Sequence, residues 1–198
     1  MVMQNICVFC GSNPGSDPAY LDAAADLGRQ LAQRRIGLIY GGSNAGLMGA
    51  LADATLTAAG HVTGVIPRSL VDREVAHRGL SDLRIVETMH ERKALMADLA
   101  DAFIAMPGGY GTLDELCEIL TWAQLGIHAK PVGLLNTLGY WDPFLTFLDH
   151  AVDAGFVKPA HRLMLACNSN GAQLLDLILH FPRPVRMPVS KVSKWEIR

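Results

Sequence analysis

The sequence predicts an α/β fold, a Rossmann-like doubly wound and mostly parallel sheet of about seven strands, covered by helices on both faces. Two observations carry that prediction. Short apolar runs alternate with longer segments of helical period, and the runs are continuous, without the in-out alternation of a strand that has one wet face. The intervening segments are also long enough to cross over from one strand to a parallel neighbour.

The first run, ICVFC at 6 to 10, leads into a helical stretch from about Pro18 to Arg35. There Leu21, Ala24, Ala25, Gly28, Leu31 and Ala32 recur at three-four spacing. IGLIY (36 to 40) precedes a small-residue helix around 46 to 59, and HVTGVIP (61 to 67) is again strand-like. A polar connector without clear period occupies about 67 to 82 and has room for a functional role. LRIVE (83 to 87), a helix near 89 to 100, DAFIAM (101 to 106) and a helix near 112 to 125 follow. KPVGLLN (130 to 136), a helix near 142 to 154, LMLAC (163 to 167) and a helix near 171 to 180 complete the series.

At 198 residues and 50% hydrophobic content the chain can bury one sizeable core, so residues 1 to 180 are expected to form a single domain. Residues 181 to 198 read as a Pro-rich basic tail. Pro182, Pro184 and Pro188 break it, and Arg183, Arg186, Lys191, Lys194 and Arg198 face only Glu196. Such a segment is expected to be solvated or disordered.

The 17 basic and 19 acidic residues give a formal charge of -2, which offers no general pull on nucleic acid. The N-terminal stretch has neither a basic region nor a small-residue cleavage site, and no apolar run approaches the roughly 18 residues of a membrane span. A soluble, cytoplasmic protein that binds neither membrane nor nucleic acid is expected. Cys7 and Cys10 form a C-x-x-C, but on a strand they point to opposite faces and read as buried free thiols. With no ligand spacing among the seven histidines, no metal is expected.

In a doubly wound sheet the ligand lies beyond the carboxyl ends of the strands, where three loops here are glycine-rich. They are Cys10-Gly11-Ser12-Asn13, the run from Gly41 and Gly42 to Gly49, and Pro107-Gly108-Gly109-Tyr110-Gly111-Thr112. Each leads into a helix, and glycine lets the backbone approach an anion that the helix N-terminal N–H groups and dipole attract. One such loop would most simply be a turn. Three on one sheet edge favour a phosphate, making the domain nucleotide-binding. None matches G-x-G-x-x-G or the P-loop pattern, so a single 5'-monophosphate is expected rather than a dinucleotide. Thr112 falls at the helix N-cap or first turn, where capping is its simplest role.

Beyond it, Leu113, Leu116, Cys117 and Leu120 form the expected buried stripe, which leaves Asp114, Glu115 and Glu118 off that face. Asp114 suits a dipole partner. Glu115, one turn beyond the glycine loop, can aim a carboxylate at a sugar or its attacking water. The segment Met-His-Glu-Arg-Lys-Ala-Leu-Met at 89 to 96 follows the strand LRIVE, so Arg92 leaves the same sheet edge, offering a permanent charge and a bidentate fork. Lys93 is evenly balanced between ligand and solvent.

Arg92 and Lys93, followed by P-G-G-Y-G-T-L-D-E at 107 to 115, resemble the M-x-x-R-K and P-G-G-x-G-T-x-x-E motifs of the Lonely Guy family without departure. These are cytokinin riboside 5'-monophosphate phosphoribohydrolases, often mislabelled lysine decarboxylases. The likeness runs from C-G-S through Y-G-G-S-N-A-G-L-M-G, T-W-A-Q-L-G-I-H and K-P-V-G-L-L-N to about Gly155. It implies a Rossmann-like homodimer that cleaves the N-glycosidic bond of an N6-substituted adenosine 5'-monophosphate, giving free base and ribose 5-phosphate with no cofactor. It further implies Arg92 and Glu115 as the catalytic pair, with substrate contacts at Glu74, Lys93, the stretch from Gly109 through Leu113 to Asp114, and Thr121.

Two other functions are weighed against hydrolysis. A pyridoxal-dependent decarboxylase needs a Schiff-base lysine and usually a second enclosing domain, for which a chain with five lysines, two in the tail, has little room. A non-catalytic nucleotide carrier or sensor would lack Arg92 or Glu115, and both are present.

Overall fold

The computed structural model describes residues 3–71 and 76–181. Seven strands form one sheet in which every pairing is parallel: β1 (Asn5–Phe9), β2 (Gly37–Tyr40), β3 (Val62–Pro67), β4 (Asp82–Val86), β5 (Ala102–Ala105), β6 (Val132–Leu135) and β7 (Leu165–Asn168). The order across the sheet is β4-β3-β2-β1-β5-β6-β7. The chain therefore winds outward one way from β1 and the other way from β5. The loops after β1 and β5 lie side by side at the point of reversal, where a doubly wound sheet opens its crevice. Each of the seven apolar runs overlaps one strand, with ends that differ by no more than two residues.

The alternation of side chains along the strands builds two cores. Ile6, Val8, Leu38, Ala102 and Ile104 pack on one face with α1 (Ala19–Gln33), α2 (Gly46–Thr57) and α8 (Gly171–Leu179). Between the two strand ends on β3 and β4 comes the short α3 (Arg68–Val71). Cys7, Phe9, Ile39, Phe103 and Leu134 pack on the other face with α4 (Met89–Leu99), α5 (Tyr110–Gln124) and α6 (Asp142–Asp153), and α7 (Pro159–Arg162) precedes β7. Cys7 and Cys10 do fall in opposite cores, as a period of two requires.

One expectation about α5 is corrected. The helix starts at Tyr110, with Gly109 as N-cap, and its buried residues are Thr112, Glu115, Leu116, Ile119 and Ala123. Cys117 is exposed, and Leu113 and Leu120 are only partly buried. Glu115 lies within the buried face because Arg92 of α4 comes to meet it there. The tail from 182 onward and the connector residues 72 to 75, Glu74 among them, lie outside the described residues.

Candidate active site

Arg92 sits in the first turns of α4, whose N-cap Thr88 accepts the N–H of Glu91. Its side chain runs across the carboxyl ends of the strands and is buried. Nε donates to the Val65 carbonyl of β3 at 3.0 Å, and Nη2 donates to the Gly41 carbonyl at the end of β2 at 3.2 Å. Nη1 reaches Glu115 Oε1 of α5 at 3.1 Å, so one guanidinium ties three elements together. Of its five N–H donors these bonds use three and leave two for a ligand. Gly41 is what permits the approach, because a Cβ there would run into Arg92 Nη2.

Arg92 and Glu115 are each only 8% exposed. Burial raises the Glu115 carboxyl to about 7, an effect the Arg92 charge opposes but does not cancel. Ion pairing alone would have driven it below the usual carboxylate range. Desolvation wins, and the side chain is poised to exchange a proton near neutrality.

Three loops join to make the floor of the site. Gly11 N donates to the Pro107 carbonyl at 3.0 Å and Leu47 N to the Gly11 carbonyl at 3.1 Å, which locks the loops after β1, β2 and β5 together. Gly108 fits only as glycine, since a Cβ would strike Thr112 Oγ1. By contrast, a Cβ at Gly109 or Gly111 would meet nothing within 4 Å beyond its adjoining residues and the backbone of its own helix. These two glycines face open space at the start of α5, where unpaired N–H groups and the helix dipole favour an anion.

The result is a cavity of about 530 Å³, within the range of small-molecule sites. It gathers Gly11, Ser12, Gly41, Arg92 and Glu115, together with Gly108, Gly109, Tyr110, Gly111 and Thr112. Gly42, Lys93, Leu113, Asp114 and Thr121 do not line it. Gly42, at φ 76°, turns the β2 loop and accepts the N–H of His77. Lys93 Nζ binds Asp114 Oδ2 at 3.0 Å and Glu118 Oε2 at 3.2 Å. Burial works against the Lys93 charge, but those two partners outweigh it and hold its pKa above the ordinary value. Thr121 donates to the Cys117 carbonyl at 2.7 Å and lines a separate, largely apolar hollow with Leu120, Phe144 and Phe147.

Sequence reasoning missed several walls of the cavity, chiefly Tyr20 of α1, Leu47 and Met48 of α2, and Tyr140. Tyr140 had an available signal, since Leu-Gly-Tyr-Trp follows β6 at the same carboxyl edge as the glycine loops. Among the described residues no lysine lines the cavity, and no group of three or more His, Cys, Asp or Glu could hold a metal ion. No described helix is long and apolar enough to cross a membrane.

Fold and site define an α/β protein of Rossmann type with a glycine-lined anion cradle at the sheet's reversal and a buried Arg–Glu pair beside it. The comparisons narrow the class: the chain belongs to the family of cytokinin riboside 5'-monophosphate phosphoribohydrolases. Cytokinin riboside 5'-monophosphate phosphoribohydrolase LOG5 of Arabidopsis thaliana is 49% identical over 194 residues, covering 98% of this chain and 85% of the relative. LOG7 of the same plant is 52% identical over 172 residues, covering 87% of this chain and 79% of that enzyme. Residues 48–178 match a family model described as "Possible lysine decarboxylase". A solved molybdenum cofactor binding protein from Rippkaea orientalis has the same fold, with TM-score 0.68 at 22% identity over 90% of this chain and 96% of that one.

Proposed function

We propose that this chain hydrolyses the N-glycosidic bond of adenosine 5'-monophosphate or its N6-substituted forms, with Arg92 and Glu115 as its catalytic pair. The observation that carries the assignment is the buried Glu115 carboxyl, held at about 7 beside Arg92 and within a glycine-lined cavity. The bond from the sugar C1' to the purine nitrogen breaks with its electron pair leaving on the base. The sugar passes through an oxocarbenium-like state that a carboxylate stabilises. Glu115 takes a proton from the water whose oxygen bonds to C1', the departing purine takes a proton from solvent, and Glu115 returns its own to solvent, so each cycle consumes one water. Arg92 stays charged throughout and contributes electrostatically, orienting Glu115 and offering its two remaining N–H groups to the ligand. The 5'-phosphate suits the cradle from Gly108 to Thr112, so unphosphorylated adenosine is expected to be a far poorer substrate.

The lysine decarboxylase alternative has no support in the geometry of the described residues, none of whose lysines lines the cavity. A Schiff base needs an amine in the cavity, while Lys93 is bound to two carboxylates and Lys130 Nζ to the Ala97 carbonyl.

The pH profile tests the role of Glu115. Catalysis needs its carboxylate form, so kcat/KM for base release should rise with pH, bend near 7 and level off above it. A flat profile between pH 5.5 and 8.5 would remove Glu115 from the proton-accepting role.

A homodimer fits the exposed Phe147, which lines the hollow that holds Thr121, and the exposed Phe156 and Leu163, which adjoin in sequence its lining residues Val157, Arg162 and Met164. Thr121 lies off this chain's own cavity and would serve a substrate only across such an interface. Light scattering coupled to gel filtration is expected to give twice the mass of one chain, and Phe147→Asp to reduce it to a single chain. The four free cysteines suit the reducing cytoplasm.

A further inference from the structure

The loop after β6 is built at a local cost. Leu138 has φ 54° and ψ 24°, a left-handed conformation that a leucine rarely adopts, and Gly139 follows at φ 72°. Thr137 Oγ1 and Trp141 Nε1 are buried without hydrogen-bond partners. Asn136 holds the loop in this shape, accepting the N–H of Trp141 at 2.7 Å and donating to Asp142 Oδ1 at 2.7 Å.

What the shape achieves is the placement of Tyr140. Its ring stands edge-on to Trp141 on one side and to Tyr20 on the other, with centroids 5.2 and 6.1 Å away. Its hydroxyl donates to the Gly108 carbonyl at 2.5 Å. The neighbouring carbonyl, Pro107, is held by Gly11 N. Two successive carbonyls of the glycine loop are thus gripped from outside the loop. Because the peptide is planar, fixing the Gly108 carbonyl also fixes the direction of the Gly109 N–H.

We propose that Tyr140 is a positioning residue that orients the phosphate cradle through the Gly108 carbonyl. The idea rests on the phosphate reading of the cradle given above. Tyr140→Phe removes the grip and keeps the ring, and Asn136→Ala loosens the loop from a position outside the cavity. Both are expected to raise KM for adenosine 5'-monophosphate, and the calorimetric Kd of ribose 5-phosphate, by about 3- to 10-fold, the worth of one hydrogen bond. For Tyr140→Phe, kcat should stay within about twofold and the melting temperature should hold, because the cradle binds ground and transition states alike.

Unchanged KM and Kd in Tyr140→Phe would overturn the proposal, as would a fall in kcat with KM unchanged. If the wild-type protein binds ribose 5-phosphate but releases no base, the hydrolytic reading fails, and the Kd comparison still decides the role of Tyr140. If it binds neither phosphate compound, both readings fall together.

Discussion

Replacing Glu115 by glutamine is expected to lower base release from adenosine 5'-monophosphate by about 10²- to 10⁴-fold, the span attributed to a positioned acid–base group. Glutamine fills the same volume, and its carbonyl oxygen can still accept the Arg92 Nη1 hydrogen bond that Glu115 accepts at 3.1 Å. What it cannot do is take a proton from water or carry the negative charge that an oxocarbenium-like sugar draws on. The fold should survive, with a stability signature of definite sign. The folded-state value of Glu115 is about 7 against an ordinary 4.5, so its contribution to stability is fully present below about 4.5 and is lost as pH rises through 7. The melting temperature of Glu115→Gln, relative to wild type, should therefore climb between pH 5 and pH 8. Thermal scans across that range, run beside an assay of free base, check both halves. A variant with near-wild-type turnover would remove Glu115 from the chemistry whatever its stability did.

The fold was legible because the inner strands of a covered parallel sheet are apolar along nearly their whole length, as in β1, β2, β3, β5 and β6, while the edge strands β4 and β7 are only partly buried and still carry enough apolar residues to stand clear between amphipathic segments. The burial of Glu115 was not legible. A three-four period marks a buried face only where the covering element is apolar, and here α5 is covered in part by the stem and guanidinium of Arg92, a residue 23 positions away. The expected stripe through Leu113 and Cys117 was rotated for that reason. The three glycine loops could be found because sheet topology assigns ligands to the carboxyl edge. The same rule points to the loop after β6, but Tyr140 carries no glycine signal and depends on a left-handed Leu138 that no periodicity reveals. Lys93 and Thr121 show the converse. Motif likeness places both at the substrate, whereas in one chain Lys93 is occupied by Asp114 and Glu118 and Thr121 faces another hollow.

Gly111→Ala is expected to raise stability and damage function together, which separates ligand space from fold space. Gly111 is the second residue of α5, and a Cβ there would face nothing within 4 Å beyond its adjoining residues and the backbone of its own helix. Alanine there should fit without strain and favour the helix, by up to about 0.5–1 kcal/mol if the first turn behaves like a helix interior. The fold therefore gives no reason for glycine. The cavity does, because a helical Cβ tilts toward the N-terminus, and at Gly111 that direction leads toward the start of α5 and its unpaired N–H groups. A methyl group there stands where a phosphate oxygen must come to reach those donors. Hydrogen bonds to a charged group are worth about 1.5–3 kcal/mol each, so losing one should cost roughly 10- to 100-fold in kcat/KM for the 5'-monophosphate. Gly108→Ala is the informative contrast. Its Cβ would collide with Thr112, so it should lose stability and activity together. A Gly111→Ala enzyme that melts higher and cleaves adenosine 5'-monophosphate at the wild-type rate would show that the open space at the head of α5 is not where the phosphate lies.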